Sequence, residues 1–473
     1  MKLYEQVAEE ISLLIDRGVY PIGKRIPGTR ELVKRFHVSV STIMQAQRLL
    51  ERRGLVEARP RSGYYVRSPD SHHAHIPAQS KPSNRPALVA TKQMALEILR
   101  SSQRKGLIHL GAAVPDAQYL PYQALNRSIA SVTKRHASEI PNYTFPPGNE
   151  ELRQQIAMRM ADAGCVVSPD EIIITNGCHE ALTLALKAVT KPGDLVAIES
   201  PTYYGMLQAI ESLNLKVLEI PTHPQSGISI SALELAIEQW DIKACVVISN
   251  YSNPLGYQLS DQQKSDLVAL LDRESIPFIE DDVYGDLGFM PQRPCAAKRF
   301  DQTDSVLYCS SFSKTIAPGF RVGWIVAGKW RDQVEHLKFS SSLASPTLPQ
   351  MALAHYLDQG SYCRHIRMVR DIYAEQAHRI AEMVLQHFPE GTKVTRPTGG
   401  FVVWVQFPEG IDTLQIYHEA LSLGISTAPG MLFSAVGKYN RCLRLNCALK
   451  WDERTTWAIV TLGDMAKKIL SNN

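Results

Sequence analysis

No apolar run in this chain approaches the roughly 20 residues needed to cross a bilayer, so no membrane-spanning helix and no membrane partner are expected. The opening MKLYEQVAEEISLLI is interrupted by Glu5, Glu9 and Glu10. A secretory signal needs an unbroken apolar core, so a cytoplasmic protein is expected. Cysteine is sparse, 8 in 473 residues, with no CxxC pair. Cys442 and Cys447 stand nearest together, at a spacing that suits no common zinc pattern. Reduced core cysteines are the better reading, and no metal site is expected. Most of the length also lacks net charge. Residues 71–473 hold 38 Lys/Arg against 39 Asp/Glu, whereas residues 1–70 hold 13 against 8. A small basic module on a neutral body is the pattern of a polyanion-binding appendage.

The length exceeds one ordinary core, so several domains are expected. Residues 1–68 read as helices followed by a short β-like end. Residues 69–105 carry Pro, Ser, His and Ala without periodicity and read as a linker. His72, His73 and His75 in it have no fixed partner ligands and are read as solvated. From residue 106 to about 340, short apolar runs alternate with amphipathic stretches. The runs are EIIIT, DLVAIES, LKVLEI, ACVVIS, PFIEDD, SVLYCS and VGWIVA. That alternation predicts an α/β domain around a mostly parallel seven-stranded sheet. From 341 to 473 a long helical zone precedes GGFVVWVQF and CLRLNC, which predicts a smaller α+β domain.

In the first module, Leu3, Val7, Ile11, Leu14 and Ile15 recur at helical spacing, and Gly18 and Pro21 end that helix. Thr29 is the expected N-cap of a second helix, TRELVKRF, and Ser39 or Ser41 that of a third, STIMQAQRLLERRG. LVEARPRSGYYV then reads as two strands turning at Arg61–Gly63. Three helices and a β-wing make a winged helix-turn-helix. The second of two tightly joined helices is the one that enters a major groove. The run IPGTRELVKRFHVSVSTIMQAQRLLERRGLVEARPRSGYYV resembles a GntR-type domain. The resemblance implies that Arg30 holds a phosphate, that Ser39, Ser41 and Thr42 face double-stranded operator DNA, and that Arg61 and Gly63 form the wing tip. Val40 and Met44 depart from the pattern, standing where the family often has arginines.

In the body, Lys314 follows SVLYC within SSFSK, among the hydroxyls of Ser311 and Ser313. Ligands of open α/β sheets lie outside the carboxyl ends of strands, and a lysine there can condense with a carbonyl cofactor. FIEDDVYGD ends another strand in acids. Pyridoxal 5'-phosphate (PLP) needs a carboxylate at its pyridine nitrogen, for which Asp281 is the candidate. Tyr284 and Asn253 (in YSNPLG) are candidates for the cofactor's phenolic oxygen, and Tyr203 (in ESPTYYG) for stacking on its ring. TNGCHEAL opens a helix, whose N–H groups at Cys178 and His179 would meet a phosphate, and Arg321 would pair with it. Arg444 in CLRLNC would fork onto a substrate carboxylate. Singly, Asp281 is as well read as a helix cap, Tyr203 as a core aromatic and Arg444 as half of an ion pair.

In this order, the set resembles the class I/II aminotransferases of fold type I over residues 106–470. The resemblance implies that Tyr143, in NYTFPPGNEELR, reaches the partner subunit's cofactor in a homodimer, and that Gly111 lies near the substrate. Cys178 and His179 depart from it, standing where relatives often have Ser and Gln. The fusion as a whole resembles the MocR-like transcriptional regulators. It implies a PLP-binding, DNA-binding regulator that senses an amino compound or PLP itself, a role compatible with residual transamination by Lys314. The alternative is a working aminotransferase of an α-amino acid with an accessory winged helix; a winged helix used only for dimerisation is a third reading.

Overall fold

The computed structural model describes residues 3–21, 23–52, 54–59, 62–66, 76–89, 96–97, 100 and 106–472. Arg61 and the histidines at 72, 73 and 75 lie outside the described residues. The chain divides into two compact units, Met1–Ile76 and Pro77–Asn473.

The first unit contains α1 (Leu3–Asp16), α2 (Thr29–Phe36), α3 (Val40–Arg52) and a hairpin of β1 (Val56–Arg59) and β2 (Gly63–Val66). Its core gathers one apolar face from each element: Val7 and Ile11, Leu32, Ile43 and Leu50, Val56 and Val66. The expected cap of α2 is displaced by one residue. Gly28 takes the N-cap with no side-chain bond, and Thr29 turns its hydroxyl inward to Gln47 Oε1 at 3.1 Å. Ser39 caps α3, accepting from the backbone N–H of Thr42 at 3.2 Å.

The second unit includes the short strand β3 (Ile108–His109). Its large sheet holds β4 (Ile172–Thr175), β5 (Leu195–Ser200), β6 (Lys216–His223), β7 (Gly227–Ile228), β8 (Ile242–Val247), β9 (Phe278–Asp281), β10 (Val306–Ser311) and β11 (Gly323–Val326). Their spatial order is β4-β11-β10-β9-β8-β5-β6-β7. The pairs from β10 across to β6 are parallel, and β11 runs antiparallel to both neighbours. The seven apolar runs are the seven long strands. β7 is a two-residue hairpin return on β6. Helices cover both faces, which is why β4, β5 and β9 to β11 are buried along their whole length.

A second sheet follows, with β12 (Lys393–Val394), β13 (Val402–Gln406), β15 (Ala428–Pro429) and β16 (Cys442–Asn446) in the antiparallel order β12-β13-β16-β15. β14 (Ile425–Ser426) pairs in parallel with β3. Within the stretch read as a linker, residues 77–89 run against the large sheet. Ser80 exchanges hydrogen bonds with Thr222 at 3.0 and 2.8 Å. Ala87 pairs with Val217 at 2.9 Å in both directions, and Val89 is buried. Backbone pairing of this kind blunts a strand edge. Among the described residues no helix is long and apolar enough to cross a membrane.

Candidate functional site

Strand ends assemble the site. Asp281 ends β9 and lies in register with Cys309 of β10, and Lys314 stands three residues past the end of β10. Lys314 Nζ donates to the carbonyl of Ala113 at 2.7 Å. Burial, helped by the charge of Arg444, brings its amine down to about 8, with Asp281 opposing. Asp281 accepts from the backbone N–H of Val283 at 3.1 Å and from the Cys178 thiol at 3.6 Å. Burial still pushes its carboxyl up to about 6.

Cys178 and His179 open the helix Cys178–Val189 behind Gly177, which has φ of +85°. A Cβ at Gly177 would fall 2.5 Å from Arg321 Nη2, so the loop needs glycine both for its conformation and for this approach. Arg321 itself donates to the carbonyl of Asn176 at 2.9 Å. Burial, then the charge of Arg321, holds the His179 imidazole below its ordinary value. Arg321, Gly177 and the free N–H groups of the helix thus form an anion-compatible cradle. Two polar atoms beside it, Ser313 Oγ and Asn176 Oδ1, are buried without a hydrogen-bond partner among the described residues. Ser311 Oγ accepts from the N–H of Ser313 at 3.4 Å.

Arg444 sits in the middle of β16 and is fully buried. Its Nη1 donates to Asn253 Oδ1 at 3.0 Å and its Nη2 to the carbonyl of Gly111. The guanidinium carbon lies 5.0 Å from the ring centre of Phe433 and 5.8 Å from that of Tyr204. Among the described residues it forms no ion pair, and its Nε has no partner. Asn253 spans the site, since its Nδ2 also donates to the Tyr284 hydroxyl at 3.4 Å. Burial raises the phenols of Tyr284 and Tyr203 above their ordinary value. Gly111 is held against the small sheet so closely that a Cβ would lie 2.4 Å from the Thr427 carbonyl carbon.

The fold therefore gathers Lys314, Asp281, Cys178, His179, Tyr203, Tyr284, Asn253, Ser311, Ser313, Arg321, Arg444 and Gly111. Tyr143 stands apart from them, 71% exposed, its ring 5.6 Å from that of Phe145. Sequence reasoning missed Glu199. Buried at the end of β5, it accepts from Ser252 Oγ at 2.9 Å, from the Tyr257 hydroxyl and from the Ile248 N–H at 3.4 Å. Ser252 precedes Asn253, so this carboxyl braces the loop that aims Asn253. Its only signal was an acid inside an otherwise apolar strand.

In the first unit, Arg30 is exposed on the first turn of α2. Ser39 Oγ lies 2.8 Å from both Ser41 Oγ and Thr42 Oγ1, a hydroxyl cluster at the start of α3. Gly63 begins β2 with φ of +108°.

Two family models match. Residues 107–459 match aminotransferase class I and II, and residues 3–66 match the gntR family of bacterial regulatory proteins. Two uncharacterized HTH-type transcriptional regulators of Escherichia coli K12 are similar along nearly the whole length. YjiR is 39% identical over 98% of both chains, and YdcR is 40% identical over 99% of this chain and all of its own. The kynurenine aminotransferase of Pyrococcus horikoshii, solved in complex with PMP, superposes with a TM-score of 0.74 at 27% identity. It covers 80% of this chain and 95% of its own. The chain belongs to the class I and II aminotransferase family and, through its amino-terminal gntR-type module, is an HTH-type transcriptional regulator of the MocR-like kind.

Proposed function

We propose that the large unit carries PLP on Lys314, takes an amino compound with a carboxylate at Arg444, and thereby adjusts DNA binding by the winged helix. The observation that carries this reading is Arg444. A buried guanidinium without an ion pair is costly unless a ligand supplies the anion, and its orphaned Nε leaves donor capacity in the same site as Lys314. The residues present fit the cofactor. Among the described residues Ser313 Oγ and Asn176 Oδ1 are unpaired, the missing Cβ of Gly177 lets the Arg321 guanidinium close on the helix start, and Asp281 faces the site with a carboxyl that is mostly ionised at neutral pH.

When bound, PLP supplies an electrophilic carbonyl and an electron-withdrawing ring. The chain does the rest. Asp281 would hold a proton at the ring nitrogen, and Asn253 and Tyr284 would hydrogen-bond the phenolic oxygen. Tyr203 would face the ring, while Arg321 and the helix start at Cys178 and His179 would take the phosphate. Lys314, whose amine is brought down to about 8, has a neutral fraction near physiological pH and would be the residue to hold the cofactor's carbonyl and to serve as the base. This lowered amine also favours slow transamination beside regulation. Tyr143, with the exposed Phe145 and Phe339, belongs to a face that a second copy of the chain covers, which brings Tyr143 to the other copy's phosphate. Sensing requires that the amino compound bind two conformations of the protein with different affinity.

The test has two readings on the full chain. Wild type should show a visible absorption band after addition of PLP that Lys314→Ala lacks. An amino-acid panel should shift that band and change the affinity for operator DNA. No band in either protein would overturn the cofactor assignment. A band with DNA affinity unchanged by every amine, and multiple turnovers with a keto acid, would make the chain primarily an enzyme.

A further inference from the structure

Residues 23–26 pair with the free edge of β2, beside the two-stranded wing. Backbone bonds join Gly23 N–H to the Val66 carbonyl at 2.7 Å, Val66 N–H to that of Lys24 at 2.8 Å, and Ile26 N–H to that of Tyr64 at 2.9 Å. Arg25 thereby stands opposite Tyr65 in antiparallel register. On the other side of β2, Glu57 pairs with Tyr65 and Arg59 with Gly63. Alternation along strands then sorts the residues. Val56, Val66 and Ile26 turn into the core. Glu57, Arg59, Gly63, Tyr65 and Arg25 share the opposite, solvent face.

The two arginines of this face differ. Arg59 lies 4.2 Å from the Tyr65 ring centre and pairs with Glu57 at 2.6 Å, so its charge is answered locally. Arg25 is exposed and forms no ion pair or side-chain hydrogen bond among the described residues. Its guanidinium nonetheless lies close to the wing backbone. It lies across Gly63, where a Cβ would come within 2.9 Å of its Nε. A long cation lying against a glycine of the wing, with no acid to answer it among the described residues, is poised for an external anion.

We infer that the solvent face of the wing is a DNA-backbone surface and that Arg25 is its phosphate-binding residue. Arg25 lies outside the motif residues by which the module was recognised, and it reads no sequence: a phosphate contact positions the protein on the duplex. Gly63 serves it by leaving the space its guanidinium fills. The inference rests on the reading of the first unit as DNA-binding.

The test is binding of the full-length chain to a fluorescent duplex of arbitrary sequence over a range of salt. Wild type should show log K falling linearly with log salt. Arg25→Gln should lower that slope by about 0.9, the value of one phosphate contact, and Arg25→Lys should retain it. The loss should be the same on unrelated sequences. Arg25→Ala checks that side-chain length is not responsible, and melting curves check that the wing remains folded. If Arg25→Gln and wild type superpose in both slope and affinity, the inference is wrong while DNA binding stands. A wild-type chain that ignores the duplex at low salt would instead overturn the DNA-binding reading itself.

Discussion

The Sγ of Cys178 lies 3.6 Å from Oδ1 of Asp281, joining the first residue of the helix Cys178–Val189 to the last residue of β9. A thiol is a weak donor. Here it is one of two donors to this carboxyl among the described residues, and both hold its pKa down against burial.

The consequence is measurable by titrating the cofactor-free protein with PLP. Cys178→Ala removes a bond to the ionised carboxyl, so Asp281 should titrate above about 6. A net hydrogen bond of about 0.5–1.5 kcal/mol corresponds to roughly two- to tenfold weaker binding. The loss should grow as pH falls below 7. Cys178→Ser, with a better donor, should bind at least as tightly as wild type. Equal affinities for all three proteins would show that the contact does not tune Asp281.

Glu199 gives the large unit a pH dependence. Burial pushes its carboxyl from 4.5 to about 8, against the hydrogen bonds from Tyr257, Ser252 and Ile248. In that window the folded chain holds a proton that the unfolded chain has released. Stability must therefore fall as pH rises from about 4.5 towards 8 and level off above it. Glu199→Gln removes the titration but keeps the shape. Its midpoint in urea should start lower, because one amide oxygen cannot accept from three donors, and should change less between pH 5 and 8. Parallel wild-type and variant curves would remove Glu199 as the cause.

Much of this was readable in advance, for a physical reason. Strands of a mostly parallel sheet covered on both faces carry apolar runs without polar alternation, so β4, β5, β9 and β10 stand out by their apolar cores, with polar residues gathered towards their carboxyl ends. Lys314 and Asp281 follow because ligands sit at the carboxyl ends of such strands. What escaped depends on backbone rather than pattern. Residues 77–89 have no periodicity because their main chain pairs with β6 at separated points. The cap of α2 fell to Gly28 because the Thr29 hydroxyl found Gln47. Arg25 was hidden for the same reason, since only the backbone pairing of residues 23–26 with β2 places it over Gly63.

Arg444 should separate ligand recognition from folding. The unpaired buried charge is a burden on the ligand-free fold, and a well-packed apolar side chain of similar length relieves it. Arg444→Met should therefore melt no lower than wild type. The same change removes a two-pronged, charge-assisted contact to a carboxylate, worth about 1.5–3 kcal/mol, or roughly 10- to 150-fold in ligand affinity. Amino-acid titrations followed by absorption should show that loss, while a simple amine without a carboxylate is affected far less. Equal weakening for both ligands would place Arg444 in the structure of the site rather than in recognition.

Sequence reading by the winged helix should depend on thymine methyl groups. Val40 and Met44 are 52% and 46% exposed and stand one helical turn apart at the start of α3, beside the Ser39, Ser41 and Thr42 hydroxyls. Neither carries the guanidinium that would seek guanine, and an apolar side chain in a major groove is complementary to the C5-methyl of thymine. Duplexes selected from a random library by the full chain should carry thymine at fixed positions. Replacing those thymines by uracil removes one methyl each, worth about 0.8 kcal/mol or roughly fourfold in affinity. Val40→Ser with Met44→Gln should bind thymine and uracil duplexes alike while keeping the wild-type salt slope. Retained thymine preference in that double variant would assign the readout to the hydroxyl cluster instead.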